Sequence, residues 1–160
     1  MIRTVHLSDA ETIASIYNYY VLHSIATIEE HPICQNLILQ QIKEQPSHLP
    51  WIVYEKDGKV QGYAQASKWN SRSGYKFTAE SSVYVNNNAV GMGIGKALYK
   101  KLLSKVKQNG IHNVIGGISL PNKHSVALHE SFGFEKVAHF KRLGFKFKKW
   151  IDVGYWELIF

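Results

Sequence analysis

The segment best suited to chemistry has three glycines at alternate positions, Gly91, Gly93 and Gly95, followed by Lys96. Glycine adopts backbone dihedral angles that are closed to other residues, and it lets a bulky ligand approach the main chain. The first N–H groups of a helix have no partner inside it, and the helix dipole adds partial positive charge there. A glycine turn that opens a helix is therefore suited to bind a phosphate.

The spacing of these glycines excludes two common nucleotide motifs. The dinucleotide-binding fingerprint needs a third glycine where this chain has Lys96. A Walker-type phosphate loop needs a glycine in place of Val90 and a serine or threonine in place of Ala97. What remains is Gly-x-Gly-x-Gly-Lys after a short strand. The alternative is that the glycines only make a tight connection between a strand and a helix.

The sequence pattern changes from extended to helical across the glycines. Residues 82–85 form a short stretch that favours a strand, whereas apolar residues recur at every fourth position from Ile94 to Val106. This pattern predicts a strand, a polar turn and an amphipathic helix that begins near Gly93. Asn109 and Gly110 are suited to cap the end of that helix.

The rest of the chain also divides into strand and helix patterns. The strands are predicted over residues 2–7, 51–54, 60–67, 76–85, 114–119, 135–147 and 150–160. Three further helices are predicted: one starts within residues 8–11, one spans residues 35–44 and one spans residues 120–134. Asp57 and Gly58 predict a tight hairpin turn. Pro121 fits the start of the last helix and Gly133 its end. This order predicts an α/β (α+β) fold, with a mixed sheet and helices on both faces.

Length and composition restrict the class of protein. With 160 residues, 45% of them hydrophobic, the chain is sized for one domain over residues 1–160. There is no apolar run of about 18 residues and no signal-peptide pattern, so we expect a cytoplasmic protein with no membrane partner. Cys34 is the only cysteine, which excludes an internal disulfide. The net charge of +7 comes without a nucleic-acid-binding motif, and it favours an anionic small ligand.

Motifs along nearly the whole chain share the pattern of one family. Besides the glycine turn they are Ile16-Tyr-Asn-Tyr-Tyr-Val21, Pro50-Trp51, Gly62-Tyr-Ala64, Thr78-Ala-Glu-Ser-Ser-Val-Tyr-Val85, Leu120-Pro-Asn122, Leu128-His-Glu130, Gly133-Phe134, Gly144-Phe-Lys-Phe147 and Trp150-Ile-Asp-Val-Gly154. The chain resembles the phosphinothricin and methionine sulfone/sulfoximine N-acetyltransferases of the GNAT superfamily. The resemblance implies a twisted, mostly antiparallel sheet that is splayed at the CoA site. It also implies acetyl transfer from acetyl-CoA to the α-amine of a small amino-acid-like substrate, by direct attack in a ternary complex.

The resemblance assigns catalytic roles to Glu80 and His129. An α-amine is mostly ammonium at neutral pH, so a base must remove a proton, and Glu80 matches the family's general base. Burial would raise the pKa of Glu80 toward a useful value. His129 matches a histidine implicated in catalysis, and it could move a proton or position the substrate. The structural alternatives are a carboxylate on a strand edge and a histidine that only packs in its helix.

The resemblance also implies how acetyl-CoA binds, without a metal. His124 and His129 are five residues apart, too poorly aligned on a helix to suggest a zinc pair. A backbone N–H near Val85 would stabilise the oxyanion. The residues implied in cofactor binding are Val83, Val85, Gly91, Met92, Gly93, Ile94, Gly95, Lys96, Asn122 and Ser125.

The substrate carboxylate needs a cation, and the resemblance assigns Arg72 to make a forked contact with it. Ser73, Gly74 and Tyr75 would line the same pocket. A solvated loop charge is the alternative role for Arg72. The chain departs from the family pattern at three places: Val90 replaces a glutamine or arginine, Ile28 replaces a frequent aromatic residue, and Asn86-Asn-Asn88 replaces a proline-containing turn.

Two other functions remain open at the level of sequence. One is acetylation of protein or peptide N-termini, which needs an open peptide groove near residues 23–32. The other is a non-catalytic acyl-CoA-binding module, against which the retention of Glu80 and His129 argues. The family pattern leads us to expect a homodimer, with the aromatic C-terminal strands at the interface, and no nucleic-acid partner.

Overall fold

The computed structural model describes all 160 residues, Met1–Phe160. The strands are β1 (Ile2–Thr4), β2 (Trp51–Lys56), β3 (Lys59–Lys68), β4 (Thr78–Val85), β5 (Asn113–Leu120), β6 (Glu135–Lys146) and β7 (Lys149–Ile159). The α-helices are α1 (Ala10–His23), α2 (Gln35–Glu44), α3 (Ile94–Gln108) and α4 (Lys123–Ser131). Short 3₁₀ turns occupy Leu7–Asp9, Ser73–Tyr75 and Asn87–Ala89.

All seven strands form one sheet in the order β1-β2-β3-β4-β5-β7-β6. Every neighbouring pair is antiparallel except β4 and β5, which run parallel. Because alternate residues of a strand face opposite sides of the sheet, Ile52 belongs to the core beneath α3, whereas Val53 belongs to the core beneath α1 and α2. The predicted mixed sheet with helices on both faces is confirmed.

Two turns form as their residue types predict. Asp57 and Gly58 both have positive φ angles, of 51° and 72°, and they connect β2 and β3 as a tight hairpin. Helix α3 follows the glycine turn, and the apolar residues at every fourth position from Ile94 to Val106 are buried. Gly110 has a φ angle of 82°, as expected for the residue after the C-terminus of a helix.

Three details of the prediction are wrong. The first strand ends at Thr4, because the Asp9 carboxylate accepts hydrogen bonds from the His6 N–H and the Arg3 guanidinium and starts a 3₁₀ turn. The last helix begins at Lys123, and Pro121 lies in the turn before it, after a cis peptide bond. Gly95 lies inside α3 and has no positive φ angle, unlike Gly91 and Gly93.

The feature of the sheet that matters most for function is a gap between β4 and β5. The two strands pair only over three residues, Thr78 with Asn113 through Glu80 with Ile115. Beyond Glu80, β4 stays paired with β3 as far as Val85, while β5 stays paired with β7. One edge of β4 therefore has no neighbouring strand.

No helix of the structure combines the length and the apolar character needed to cross a bilayer.

Candidate active site

The glycine turn presents free backbone donors. Gly91 and Gly93 adopt φ angles of 84° and 79°, and Gly93 is the N-cap residue of α3. The first hydrogen bond of the helix runs from the Ala97 N–H to the Gly93 carbonyl, so the N–H groups of the residues between them have no carbonyl partner. No acidic side chain lies in the first turn to compete for these donors. The turn is therefore suited to hold an anion.

A cavity of about 490 Å³ extends from this turn along β4 to the start of α4, and we call it the glycine-loop cavity. It brings together nine of the ten residues predicted to bind the cofactor. Met92 is the exception, since its side chain is exposed and does not line the cavity. The lining residues from the predicted set are Val83, Val85, Gly91, Gly93, Ile94, Gly95, Lys96, Asn122, Ser125 and, from the catalytic pair, His129.

The N-terminus of α4 is fixed by Asn122. Its side-chain oxygen accepts a hydrogen bond from the Ser125 N–H at 3.1 Å, which satisfies one of the free donors of the helix. The side-chain amide nitrogen of Asn122 makes no hydrogen bond within the chain. Asn122 thus caps the helix while its donor group stays available to a ligand in the glycine-loop cavity.

His129 is buried, with only 5% of its surface exposed. Its Nδ1 lies 2.7 Å from the Ser125 carbonyl oxygen, and because a carbonyl only accepts, Nδ1 carries the proton. Burial lowers the pKa of His129, so the ring is neutral at physiological pH and Nε2 has a free lone pair. The rings of Tyr99 and Phe134 pack edge-on against the imidazole at 5.0 and 5.1 Å. This arrangement equips His129 to accept a proton or a hydrogen bond at Nε2.

His129 occupies space that only a glycine on β5 leaves free, and this predicts a measurable effect. A Cβ atom on Gly116 would lie 2.5 Å from His129 Nε2, so Gly116→Ala must displace the ring. We expect the free energy of unfolding to fall by about 1–3 kcal/mol and acetyl transfer to fall at least tenfold. Urea unfolding and the shift of the His129 ring resonances measure both effects.

The neighbouring variant Gly117→Ala is the control for a new methyl group on the same strand. Its Cβ would meet Tyr155 at 3.1 Å, a milder contact that does not involve His129. Because Gly117 itself lines the glycine-loop cavity, this control applies to the His129 ring resonances and not to acetyl transfer. Unshifted ring resonances in Gly116→Ala, or equal shifts in both variants, would contradict the prediction.

A second cavity, of about 310 Å³, lies beside the first, and we call it the Glu80 cavity. Ser82 and Tyr84 of β4 line both cavities, so the strand forms the partition between them. The other walls come from α1, α2, β2, β3 and the segment before α2. They are formed by Tyr17, Glu29, Ile33, Leu37, Ile38, Gln41, Trp51, Tyr63 and Gln65, and Glu80 of β4 completes the lining. The buried indole N–H of Trp51 has no hydrogen-bond partner in the chain.

Glu80 is partly buried at the point where β4 and β5 part. Its carboxylate takes part in none of the ion pairs of the chain. Burial raises the pKa of Glu80, as the sequence analysis anticipated, because no neighbouring cation or donor offsets the loss of hydration. A carboxylate with a raised pKa next to a ligand cavity has the properties of a general base.

The four residues predicted to bind the substrate carboxylate line neither cavity. Arg72 is exposed and precedes the 3₁₀ turn Ser73–Tyr75, which lies in the connection from β3 to β4. That connection enters β4 two residues before Glu80, so Arg72 lies at the same end of the sheet as the carboxylate. Arg72 forms no ion pair with Glu80 within one chain.

Two tyrosines that the sequence analysis did not assign to the site also contribute to it. The Tyr20 hydroxyl donates a hydrogen bond to the Val85 carbonyl at 2.6 Å, which ties α1 to the free edge of β4. The Tyr99 hydroxyl is bonded to Ser81 Oγ at 2.6 Å. The sequence identified Tyr20 only as part of the family motif Ile16–Val21. The available signal was that a buried tyrosine needs a partner for its hydroxyl group.

Comparison with known proteins gives the class of this arrangement. Residues 2–154 match the family model described as an acetyltransferase (GNAT) domain. The phosphinothricin N-acetyltransferase of Streptomyces viridochromogenes is 33% identical over 98% of this chain and 85% of its own. The L-methionine sulfoximine/L-methionine sulfone acetyltransferase of Salmonella typhimurium is 34% identical over 98% of this chain and 92% of its own.

Solved structures agree with the sequence relatives. A phosphinothricin acetyltransferase from Sinorhizobium meliloti in complex with acetyl-CoA superposes with a TM-score of 0.95, at 32% identity over 99% of this chain and 87% of its own. A ribosomal-protein-alanine N-acetyltransferase from Brucella melitensis gives 0.97, at 32% identity over 100% and 99%. The fold is that of an N-acyltransferase. The chain belongs to the GNAT acetyltransferase family.

Proposed function

We propose that the protein transfers an acetyl group from acetyl-CoA to the α-amine of a small amino-acid-like substrate of the phosphinothricin, methionine sulfone or methionine sulfoximine type. The observation that carries this proposal is the position of Glu80. Its carboxylate lines the Glu80 cavity where the sheet opens, and Ser82 and Tyr84 of the same strand separate that cavity from the glycine-loop cavity, which reaches the phosphate-suited turn.

The glycine-loop cavity has the residues that acetyl-CoA requires. The free N–H groups at the start of α3 would hold the pyrophosphate, and Lys96 adds positive charge beside them. The unpaired edge of β4 around Val83 and Val85 would bind the pantetheine amides as a neighbouring strand does. Val90 supplies no side-chain donor, so the backbone amides carry the phosphate contacts. No metal takes part in this proposal.

In the proposed reaction, Glu80 removes a proton from the substrate ammonium group, directly or through a water molecule. The neutral amine then attacks the thioester carbonyl, and a backbone N–H near Val85 stabilises the oxyanion. Collapse of the tetrahedral intermediate breaks the carbon–sulfur bond, and the second proton of the attacking nitrogen passes to the departing thiolate, so that the amide and the CoA thiol are released. With the proton on Nδ1, as the contact with the Ser125 carbonyl indicates, His129 cannot donate from Nε2, and it therefore acts as a hydrogen-bond acceptor there.

The Glu80 cavity fits a small amino acid with a polar side chain. Aromatic walls from Tyr17, Trp51 and Tyr84 would enclose the aliphatic part of such a substrate. Glu29, Gln41 and Gln65 add polar groups to the same walls. Arg72, with Ser73, Gly74 and Tyr75, is proposed to bind the substrate carboxylate from the adjacent connection.

The direct test is acetyl-CoA consumption with methionine sulfone, methionine sulfoximine and phosphinothricin, beside a peptide that begins with alanine. We expect turnover with at least one of the three amino acids and a kcat/KM at least a hundredfold lower for the peptide. A preference for the peptide would support N-terminal protein acetylation, the activity in the name of the Brucella structure. Binding of acetyl-CoA by calorimetry without turnover of any amine would support a non-catalytic acyl-CoA-binding module.

The proposal includes a cytoplasmic homodimer. β6 and β7 expose several large apolar side chains, among them Phe140, Leu143, Phe145 and Trp150. An entirely apolar depression of about 420 Å³ lies between β6, β7 and Trp69. A surface of this kind on a water-facing sheet is typical of a protein interface. Small-angle scattering should give about twice the mass of the 18.2 kDa chain, and a monomeric mass would remove the dimer from the proposal.

A further inference from the structure

Lys146, the last residue of β6, is buried with 1% of its surface exposed. Its ammonium group donates to three backbone carbonyls, at 3.3 Å to Tyr20, 2.7 Å to Ser24 and 2.8 Å to Thr27. An ammonium group has three N–H donors, so every donor has an acceptor. A charge that is buried and fully hydrogen-bonded in this way holds its partners in a fixed arrangement.

The three carbonyls lie at the C-terminus of α1 and in the loop that follows it. The C-terminal end of a helix carries partial negative charge, and this favours a cation there. Glu29 and Glu30 add negative charge nearby and partly offset the effect of burial, which lowers the pKa of Lys146. The lysine therefore joins the β6–β7 hairpin to residues 24–33, which we call the α1–α2 loop.

The α1–α2 loop forms part of both cavities. Ala26 lines the glycine-loop cavity, whereas Glu29 and Ile33 line the Glu80 cavity. Within the loop, the Thr27 hydroxyl is bonded to the hydroxyl of Tyr17, another residue of the Glu80 cavity, at 2.7 Å. The Glu80 cavity thus depends on this loop for more of its wall than the glycine-loop cavity does.

A second, apolar contact seats the same loop on the same hairpin. The side chain of Ile28 lies directly over Gly144, two residues before Lys146. A Cβ atom at Gly144 would approach three carbon atoms of Ile28 at 2.9, 3.1 and 3.2 Å. Polar and apolar contacts thus fix the α1–α2 loop independently.

We propose that Lys146 is a positioning residue for the amine substrate. It acts by holding the α1–α2 loop as one wall of the Glu80 cavity, and it touches neither substrate nor cofactor. The kinetic effect of Lys146 rests on the proposed function. The ordering of the α1–α2 loop by Lys146 does not depend on any activity.

The test compares Lys146→Met with Lys149→Met. These two lysines pair directly across β6 and β7, and Lys149 is exposed, so both variants lose the same charge from the same hairpin. In Lys146→Met we expect the KM for the amine to rise at least tenfold. The kcat and the acetyl-CoA Kd should stay within threefold of the wild type. Lys149→Met should match the wild type in all three.

Amide hydrogen exchange of the ligand-free protein supplies an independent readout. Lys146→Met should lose protection in residues 24–33 while α3 keeps its protection, and Gly144→Ala should give the same pattern through Ile28 if Lys146→Met does not fold. Faster exchange throughout the chain, or a fall in kcat with an unchanged amine KM, would overturn the proposal. If the wild type acetylated no amine, the proposed function would fail, and the exchange pattern alone would decide the role of Lys146.

Discussion

Glu80→Gln is expected to lower kcat at neutral pH by about 10²- to 10⁴-fold, the usual contribution of a general base. Glutamine keeps the size and polarity of the side chain and cannot accept the proton of the ammonium group. Recovery should be partial in alkali, where a larger fraction of the substrate amine is already neutral. Steady-state kinetics across the pH range measure this, with Glu135→Gln, an exposed carboxylate on β6, as the control.

The pH dependence of the wild type follows from the same residue. Burial raises the pKa of Glu80, so the acidic limb of the kcat/KM profile should lie above the range of a free glutamate. That limb should be missing in Glu80→Gln. A variant that matches the wild type at every pH would show that the base is another group.

At neutral pH, Glu80→Gln should stabilise the fold although it lowers activity. Because the pKa of Glu80 is raised in the folded protein, its contribution to stability is complete below the pKa of the unfolded chain and is lost as the pH rises through the folded value. At neutral pH the buried charge therefore destabilises the fold. Glu80→Gln should unfold at a higher urea concentration than the wild type at pH 7, and this advantage should disappear at low pH.

Gly93→Ala is expected to raise the Kd of acetyl-CoA by about 10- to 100-fold. Gly93 has a φ angle of 79°, and a side chain there strains the turn whose amides face the anion. Each hydrogen bond from a backbone donor to a charged group contributes roughly 1.5–3 kcal/mol, so the loss of about one such bond gives a change of this size. Calorimetric titration with acetyl-CoA measures the effect.

The chain offers a matched control for this substitution. Gly58 has a φ angle of 72°, and, like Gly93, it has open space where a Cβ atom would stand. It lies in the β2–β3 hairpin turn, away from both cavities. Gly58→Ala should lose about the same stability, roughly 1–2 kcal/mol, and leave the Kd unchanged. Equal acetyl-CoA affinity in the two variants would show that the glycine turn does not bind the cofactor.

The sequence was sufficient for features that depend on local residue patterns. The apolar residues at every fourth position after Gly93 predicted α3, Asp57 and Gly58 predicted the hairpin, and the order of strands and helices predicted the mixed sheet. It failed where a polar side chain accepts a hydrogen bond from the backbone N–H of a residue three positions away. The side chains of Asp9 and Asn122 decide where the first strand ends and where α4 begins, and no periodicity encodes those hydrogen bonds.

Long-range side-chain contacts were also beyond the sequence. Lys146 is separated by more than a hundred positions from the carbonyls that it binds, and its pattern was that of an ordinary basic strand residue. The hydroxyl of Tyr20 reaches Val85 across 65 positions. Arg72 shows the converse, because a motif identified it while the fold places its connection outside both cavities.

Beyond Glu80, the edge of β4 that faces β5 lacks the hydrogen bonds of a neighbouring strand. A pantetheine arm that hydrogen-bonds there would complete the sheet in the manner of an added strand. The cosubstrate would then be a structural element as well as a reactant. Its departure after each turnover would leave the sheet with fewer hydrogen bonds and the fold less stable. Saturating acetyl-CoA would accordingly protect the fold against heat by mass action.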